Sequence, residues 1–123
     1  MEAHLNISAV KQQLAGKRIL MTGTTGFLAK VLLEKLIRDV PEISEIYLLI
    51  RGNEAHPNSR DRFQHEILHS SIFKTLRNAD PVQLGVFCDK KIRCITGEVT
   101  EPNFGLTIDE FNRLVGKIDI VVN

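Results

Sequence analysis

The segment from Arg18 to Val40 constrains what this chain can fold into more than any other. An apolar run, Arg18-Ile19-Leu20-Met21, passes through Thr22-Gly23-Thr24-Thr25-Gly26 into an amphipathic stretch that opens at Phe27. Two glycines three apart, where a strand hands over to a helix, make a turn suited to close approach by a ligand. Gly23 permits the tight turn and Gly26 lets a pyrophosphate come against the backbone. The N–H groups that open the helix have no partners within it, and the positive end of the helix dipole stands behind them. The pattern therefore predicts a dinucleotide pyrophosphate site, with Gly23, Thr24, Thr25 and Gly26 as contacts. The spacing is Gly23-x-x-Gly26-x-x-Ala29, and Ala29 adds one methyl where a third glycine allows the closest packing of helix on strand. Lys30 is followed by Val31, so no hydroxyl stands beside the lysine to hold magnesium and a Walker A loop is excluded.

The rest of the chain repeats the alternation. Lys17 to Thr22 is predicted as the first strand and Phe27 to Val40 as the helix after it. Leu28, Val31, Leu32, Leu36 and Val40 form its inner face, and Pro41 stops it. Glu45 to Arg51 is a second continuous apolar strand. One helix is expected from about Arg60 to Leu76 with Phe63, Ile67, Phe73 and Leu76 inward, flanked by loops over 53–59 and 78–85. Lys91 to Gly97 is the third strand, and Pro102 and Gly105 punctuate a turn. Thr107-Ile108-Asp109-Glu110 has the form of a capping box that starts a helix carrying Phe111, Leu114 and Val115 and ending at Gly116. Ile118 to Val122 is the fourth strand, and Val10 to Leu14 fits a short helix across the sheet. Apolar strands alternating with helices predict an α/β fold: a Rossmann-like doubly wound parallel sheet, partial, of about four strands in the order 3-2-1-4.

Composition sets the outer bounds. The chain has 123 residues, 43% hydrophobic and 25% charged, with a formal net charge of +1, so one soluble domain is expected and nucleic acid is not expected as a partner. No apolar run approaches the ~20 residues of a transmembrane helix. The first sixteen residues carry Glu2 and no continuous apolar stretch, which argues against a secretory signal. Cys88 and Cys94 are too few for a disulfide framework and lack metal-ligand spacing, which suggests a reduced, cytoplasmic setting.

Several side chains carry candidate chemistry. Arg51 ends the second strand, where an NAD site places an acid for the ribose 2′-hydroxyl. A guanidinium there suits a 2′-phosphate and favours NADP, although an ordinary solvated arginine fits the position too. Asn53 and Arg60 lie in the loop beyond and are candidates for added contacts. Glu98 and Val99 follow the third strand beside the ligand crevice of such folds, where they either face the adenine or simply form a turn. His65-Glu66-Ile67-Leu68-His69 has the His-Glu-x-x-His form of zinc proteases. No third ligand accompanies it, so two solvent-facing histidines are the reading and no metal is assigned. Tyr47, the one tyrosine, has Arg51 rather than lysine four residues on, so it is expected to pack at the sheet and not to donate a proton.

Over most of its length the chain resembles the N-terminal part of an alcohol-forming fatty acyl-CoA reductase of the bacterial type, in the extended short-chain dehydrogenase superfamily. The segments that carry the resemblance are 16–30, 31–38 and 46–52, with support from 96–100, 104–107 and 118–123. The resemblance implies NADPH-dependent reduction of a fatty acyl-CoA, through an aldehyde, to a primary alcohol. By position it implies that Thr25, Gly26, Phe27 and Leu28 hold the pyrophosphate, Arg51 the 2′-phosphate, and Glu98 with Val99 the adenine. Ala29 and Glu98 depart from the family's usual glycine and from the aspartate of many superfamily members. The superfamily's catalytic Ser or Thr and Tyr-x-x-x-Lys pair come after the strand that closes at Asn123. Residues 1–123 are therefore expected to be the N-terminal part of an NADP-binding domain, with the remainder of the domain and the substrate region absent and no catalytic residue of their own. Rival readings are a thioester reductase, a nucleotide-sugar-modifying relative, or a non-catalytic NADP-binding module.

Overall fold

The two central strands of this chain are apolar on both sides because both faces of the sheet are covered there. The computed structural model describes residues 7–123, so the first six residues of the N-terminal segment lie outside the described residues. The elements are α1 (Ile7–Leu14), β1 (Arg18–Thr22), α2 (Phe27–Asp39), β2 (Glu45–Ile50), α3 (Ser59–Arg62), α4 (Lys74–Ala79), α5 (Pro81–Lys91), β3 (Ile92–Thr96), α6 (Ile108–Lys117) and β4 (Ile120–Val122). The four strands are all parallel and lie in the order β3-β2-β1-β4, as the pattern predicted.

Alternation along the strands builds two cores. Ile19, Met21, Ile46, Leu48, Ile50 and Ile92 face one side, where they pack with Leu33, Leu36 and Ile37 of α2 and with Phe63, Ile67 and Phe73. Leu20, Tyr47 and Leu49 face the other and meet Leu114 of α6. Each such side chain withdrawn from water contributes about 1.5–3 kcal/mol, which is what makes β1 and β2 the centre of the fold. At one end of the sheet the Arg18 N–H donates to Asp119 Oδ2 at 2.8 Å, and at the other the Thr22 hydroxyl donates to Asn123 Oδ1 at 2.7 Å. These two bonds set β4 in register against β1.

Four expectations are corrected. The inner face of α2 is Leu33, Leu36, Ile37 and Val40, whereas Leu28 is 80% exposed and Val31 and Leu32 also reach solvent. The crossover is not one helix: α3 runs into a wide π turn over Phe63–Leu68, breaks at His69 and Ser70, and resumes through a 3-10 turn into α4. Phe63, Ile67 and Phe73 are buried as expected, and Leu76 packs partly against the same core. The stretch 81–85 belongs to α5 and not to a loop, because Pro81 occupies the first helical turn and Asp80 accepts from the Gln83 N–H at 3.0 Å. Val115 is exposed while Leu114 holds the inner position of α6, whose Thr107–Glu110 capping box is present.

Candidate functional site

The carboxyl ends of β1, β2 and β3 open into one crevice lined by Gly23, Thr24, Thr25, Arg51, Glu98 and Val99, with Arg62 and Gly97 also in its lining. At the β1 end, Gly23 has φ +72, a conformation that glycine enters without strain. The Gly26 N–H donates to Gly23 O at 2.9 Å and closes the turn. A β-carbon on Gly26 would stand 3.2 Å from that same oxygen, which explains the glycine there. Gly26 occupies the N-cap of α2 and has no side chain to cap it, so among the described residues the opening N–H groups of a thirteen-residue helix have no N-cap side-chain acceptor. Thr24 is 1% exposed, and its hydroxyl makes no hydrogen bond among the described residues. A buried, unpaired hydroxyl costs about 1–3 kcal/mol, and Thr24 is one of the residues that border the crevice. Donors gathered this way fit an anionic pyrophosphate. Phe27 and Leu28 lie on the far side of the turn, where with Thr22, Ala29, Val122 and Asn123 they line a second, apolar hollow that shares Gly23.

Arg51 and Glu98 face one another across the crevice. Arg51 Nη1 donates to Glu98 Oε2 at 3.1 Å, and the arginine side chain is 72% exposed against 25% for the glutamate. Partial desolvation acts to raise the Glu98 pKa, but the Thr100 N–H and the Arg51 guanidinium outweigh it and leave the carboxyl below its usual range. The Glu98 N–H donates to Phe104 O at 2.9 Å. Phe104 sits in a left-handed turn with Asn103 (φ 58 and 53), a conformation that non-glycine residues adopt only where their surroundings enforce it. Gly97 is tightly packed in this wall, since a β-carbon there would lie 2.6 Å from Leu49 Cδ1 and 2.7 Å from Phe104 O.

Other candidates fall elsewhere. Asn53 stands outside the crevice lining; its amide donates to Glu66 at 2.9 Å and its Oδ1 accepts from the His56 N–H at 2.6 Å. Arg60 turns into the body of the domain, where it donates to Ile92 O and Asp89 and lies over the Phe63 ring. Arg62 takes the place beside the site that the sequence suggested for Arg60. Its Nη1 donates to Arg51 O at 2.5 Å while its Nε is held at 3.2 Å by both oxygens of Glu66. Residues two apart on a helix point nearly opposite ways, so of the pair Arg60 and Arg62 only one can line the crevice, and the sequence carries no signal for which.

The His65 and His69 rings do not converge on a common point. Each Nδ1 engages a backbone carbonyl, that of Asp61 at 2.8 Å and that of Gln64 at 2.6 Å, while His56 stacks on His65 with centroids 4.5 Å apart. Among the described residues no group of three or more His, Cys, Asp or Glu has a metal-holding arrangement. Tyr47 packs in the second core and its hydroxyl donates to Glu45 at 2.9 Å.

Comparison with known proteins bears on the chain as a whole. A family model described as male sterility protein, an NAD-binding family, matches residues 21–123. Chloroplastic fatty acyl-CoA reductase 2 of Arabidopsis thaliana is 36% identical over 110 residues, covering 89% of this chain and 18% of that protein. Fatty acyl-CoA reductase 1 of Xenopus laevis is 37% identical over 106 residues, covering 86% of this chain and 19% of that protein. The reductase domain of a non-ribosomal peptide synthetase from Mycobacterium tuberculosis shares the fold, with a TM-score of 0.64 over 98% of this chain and 27% of its own, at 21% identity. The terminal R domain of the myxalamid PKS-NRPS pathway matches with a TM-score of 0.58 at 27% identity, covering 87% of this chain and 24% of that domain. The chain thus spans only 18% to 23% of the length of the curated relatives it matches.

Proposed function

The chain belongs to the male sterility protein family, and from that premise we propose that it forms the cofactor-binding portion of an NADPH-dependent reductase that carries a fatty acyl-CoA through an aldehyde to a primary alcohol. The observation that carries the cofactor choice is Arg51 at the carboxyl end of β2, exposed and facing the crevice where an NAD site would present an acid. A guanidinium offers paired donors to a 2′-phosphate. In this reading Gly23, Thr24, Thr25 and Gly26 receive the pyrophosphate with the N-terminus of α2, and the unpaired Thr24 hydroxyl gains its partner there. Phe27 and Leu28 flank the same phosphates from the neighbouring hollow, Arg51 takes the 2′-phosphate, and Glu98 with Val99 borders the adenine. Asn53 acts at one remove, through Glu66 and Arg62.

The substrate class rests on the relatives named fatty acyl-CoA reductases, at 36% and 37% identity. The nicotinamide supplies hydride when bound, and the thioester carbon receives it in two successive reductions that release one thiol. The catalytic groups for those steps belong to the rest of the reductase, and the 123 residues hold the dinucleotide. No described helix is long and apolar enough to cross a membrane. A reduced, cytoplasmic compartment is part of the same proposal, supported by the free thiols of Cys88 and Cys94.

The test is NADPH oxidation by the full native polypeptide with a long-chain acyl-CoA, with released thiol followed in parallel. More than one NADPH consumed per thiol supports reduction to the alcohol. A ratio of one stops the chemistry at the aldehyde, and no thiol from any acyl thioester refutes the acyl reductase.

A further inference from the structure

We infer that Glu98 is the internal counter-ion of Arg51 and sets how strongly the crevice prefers a 2′-phosphorylated dinucleotide. A 2′-phosphate can take the guanidinium only in exchange for this carboxylate. The inference rests on the assignment of Arg51 to the 2′-phosphate and adds a second determinant of specificity to the same site.

The geometry makes the arginine the partner that moves. β2 and β3 are adjacent and parallel, with Ile50 opposite Thr96, so the residues that leave their carboxyl ends are brought face to face. Both backbones are pinned. Arg62 Nη1 holds Arg51 O, the Gly97 N–H donates to Ile50 O at 3.2 Å, and the Glu98 N–H and C=O are engaged by Phe104 O and the Glu101 N–H at 2.9 and 3.0 Å. The Glu98 side chain is mostly covered, and its Oε1 accepts from the Thr100 N–H at 3.5 Å. The Arg51 side chain is mostly in solvent, and this one ion pair is what ties it to the β3 wall. Arg62, the other cation at the crevice, is 15% exposed and committed to Glu66.

Charge then fixes the direction of the effect. A bound 2′-phosphate and the Glu98 carboxylate are two anions competing for one guanidinium, and they repel one another at close range. NADH brings no such anion, so the exchange does not arise for it. This distinguishes a counter-ion from an adenine contact, because the adenine is common to both nucleotides and any change there moves both affinities together.

The experiment is titration of the full native polypeptide with NADPH and with NADH, comparing the native protein with Glu98→Gln, with Arg51→Ala and with the two combined. Glutamine keeps the length of the side chain and an oxygen for Thr100. Since exposed ion pairs are weak, the expected effect of Glu98→Gln is an NADPH affinity that rises about threefold relative to NADH, and no such relative gain when Arg51 is alanine. An equal shift for both nucleotides would overturn the inference in favour of an adenine contact. Weaker NADPH binding would overturn it by showing that Glu98 holds Arg51 in its binding pose, and a gain that survives Arg51→Ala would show that the carboxylate acts without the arginine. Failure of the underlying assignment reads differently, as an NADPH to NADH ratio that Arg51→Ala by itself leaves unmoved.

Discussion

Replacing Gly97 by alanine adds one methyl group at the wall of the crevice, and the surroundings leave no room for it. The new carbon would lie 2.6 Å from Leu49 Cδ1 and 2.7 Å from Phe104 O. The leucine methyl is the end of a flexible side chain and can yield. The carbonyl cannot yield alone, because it belongs to a left-handed turn at φ 58 and accepts the Glu98 N–H at 2.9 Å. The backbone of 97–98 must move away from 104, so the change should cost about 1–3 kcal/mol, as overpacking does, out of a total stability of about 5–15 kcal/mol. The displaced residues are Glu98 and Val99, so NADPH affinity should fall together with stability. Gly85→Ala is the matched control. Gly85 lies inside α5 with nothing within 4 Å of an added β-carbon, and there alanine should stabilise by about 0.5–1 kcal/mol. Denaturant midpoints of the full native polypeptide and its two variants, together with NADPH titration, measure both effects. A Gly97→Ala protein with the native midpoint and native affinity would refute the packing argument, as would equal shifts for the two alanines.

Thr24→Val keeps the shape of the side chain and removes the unpaired hydroxyl. The cofactor-free protein should gain about 1 kcal/mol while dinucleotide affinity falls about fivefold, and midpoints that fall instead would mean the hydroxyl already has a partner. Glu45 accepts from Tyr47, Arg18 and Arg93, and although burial opposes them these donors hold its carboxyl below the usual range. A carboxyl lowered on folding stabilises above its unfolded pKa and loses that contribution as pH falls through the folded value. Denaturant midpoints should therefore decline below about pH 4.3, and Glu45→Gln should flatten that arm; an unchanged acid slope would remove Glu45 from the account. Burial pushes the Cys88 thiol up to about 11 and raises that of Cys94, so iodoacetamide at about pH 8 should label neither until the protein unfolds, with rapid labelling of the folded protein as the contrary result.

The parts of the fold legible in the sequence are those where one physical demand acts alone. β1 and β2 read as strands because continuous apolar runs of this length suit a covered parallel sheet, and the strand order follows from right-handed crossovers. α2 was legible as a helix but not in its facing. Leu28, Val31 and Leu32 lie on one side and Leu33, Leu36 and Ile37 on another, and an apolar count cannot choose between two apolar sides. α5 was hidden by its punctuation, since Asp80-Pro81 and Gly85 resemble a loop, whereas the proline is in fact a helix start and Leu84, Phe87 and Cys88 make the buried stripe. In the site, the glycine turn and Arg51 carried their chemistry in their positions. Arg62, the Glu98 carboxylate on Arg51, and the unpaired Thr24 hydroxyl depend on packing across the sheet, which no local pattern encodes.

The measurement that bears most directly on the account is the pair of dissociation constants for NADPH and NADH, taken on the full native polypeptide and on Arg51→Ala. Hydrogen bonds from an arginine to a phosphate are worth about 1.5–3 kcal/mol, so the substitution should weaken NADPH about tenfold to a hundredfold and leave NADH nearly unchanged. A native protein that binds the two nucleotides equally, or an alanine variant that keeps its preference for NADPH, would contradict the central claim that the arginine at the end of β2 makes this crevice a site for a 2′-phosphorylated dinucleotide.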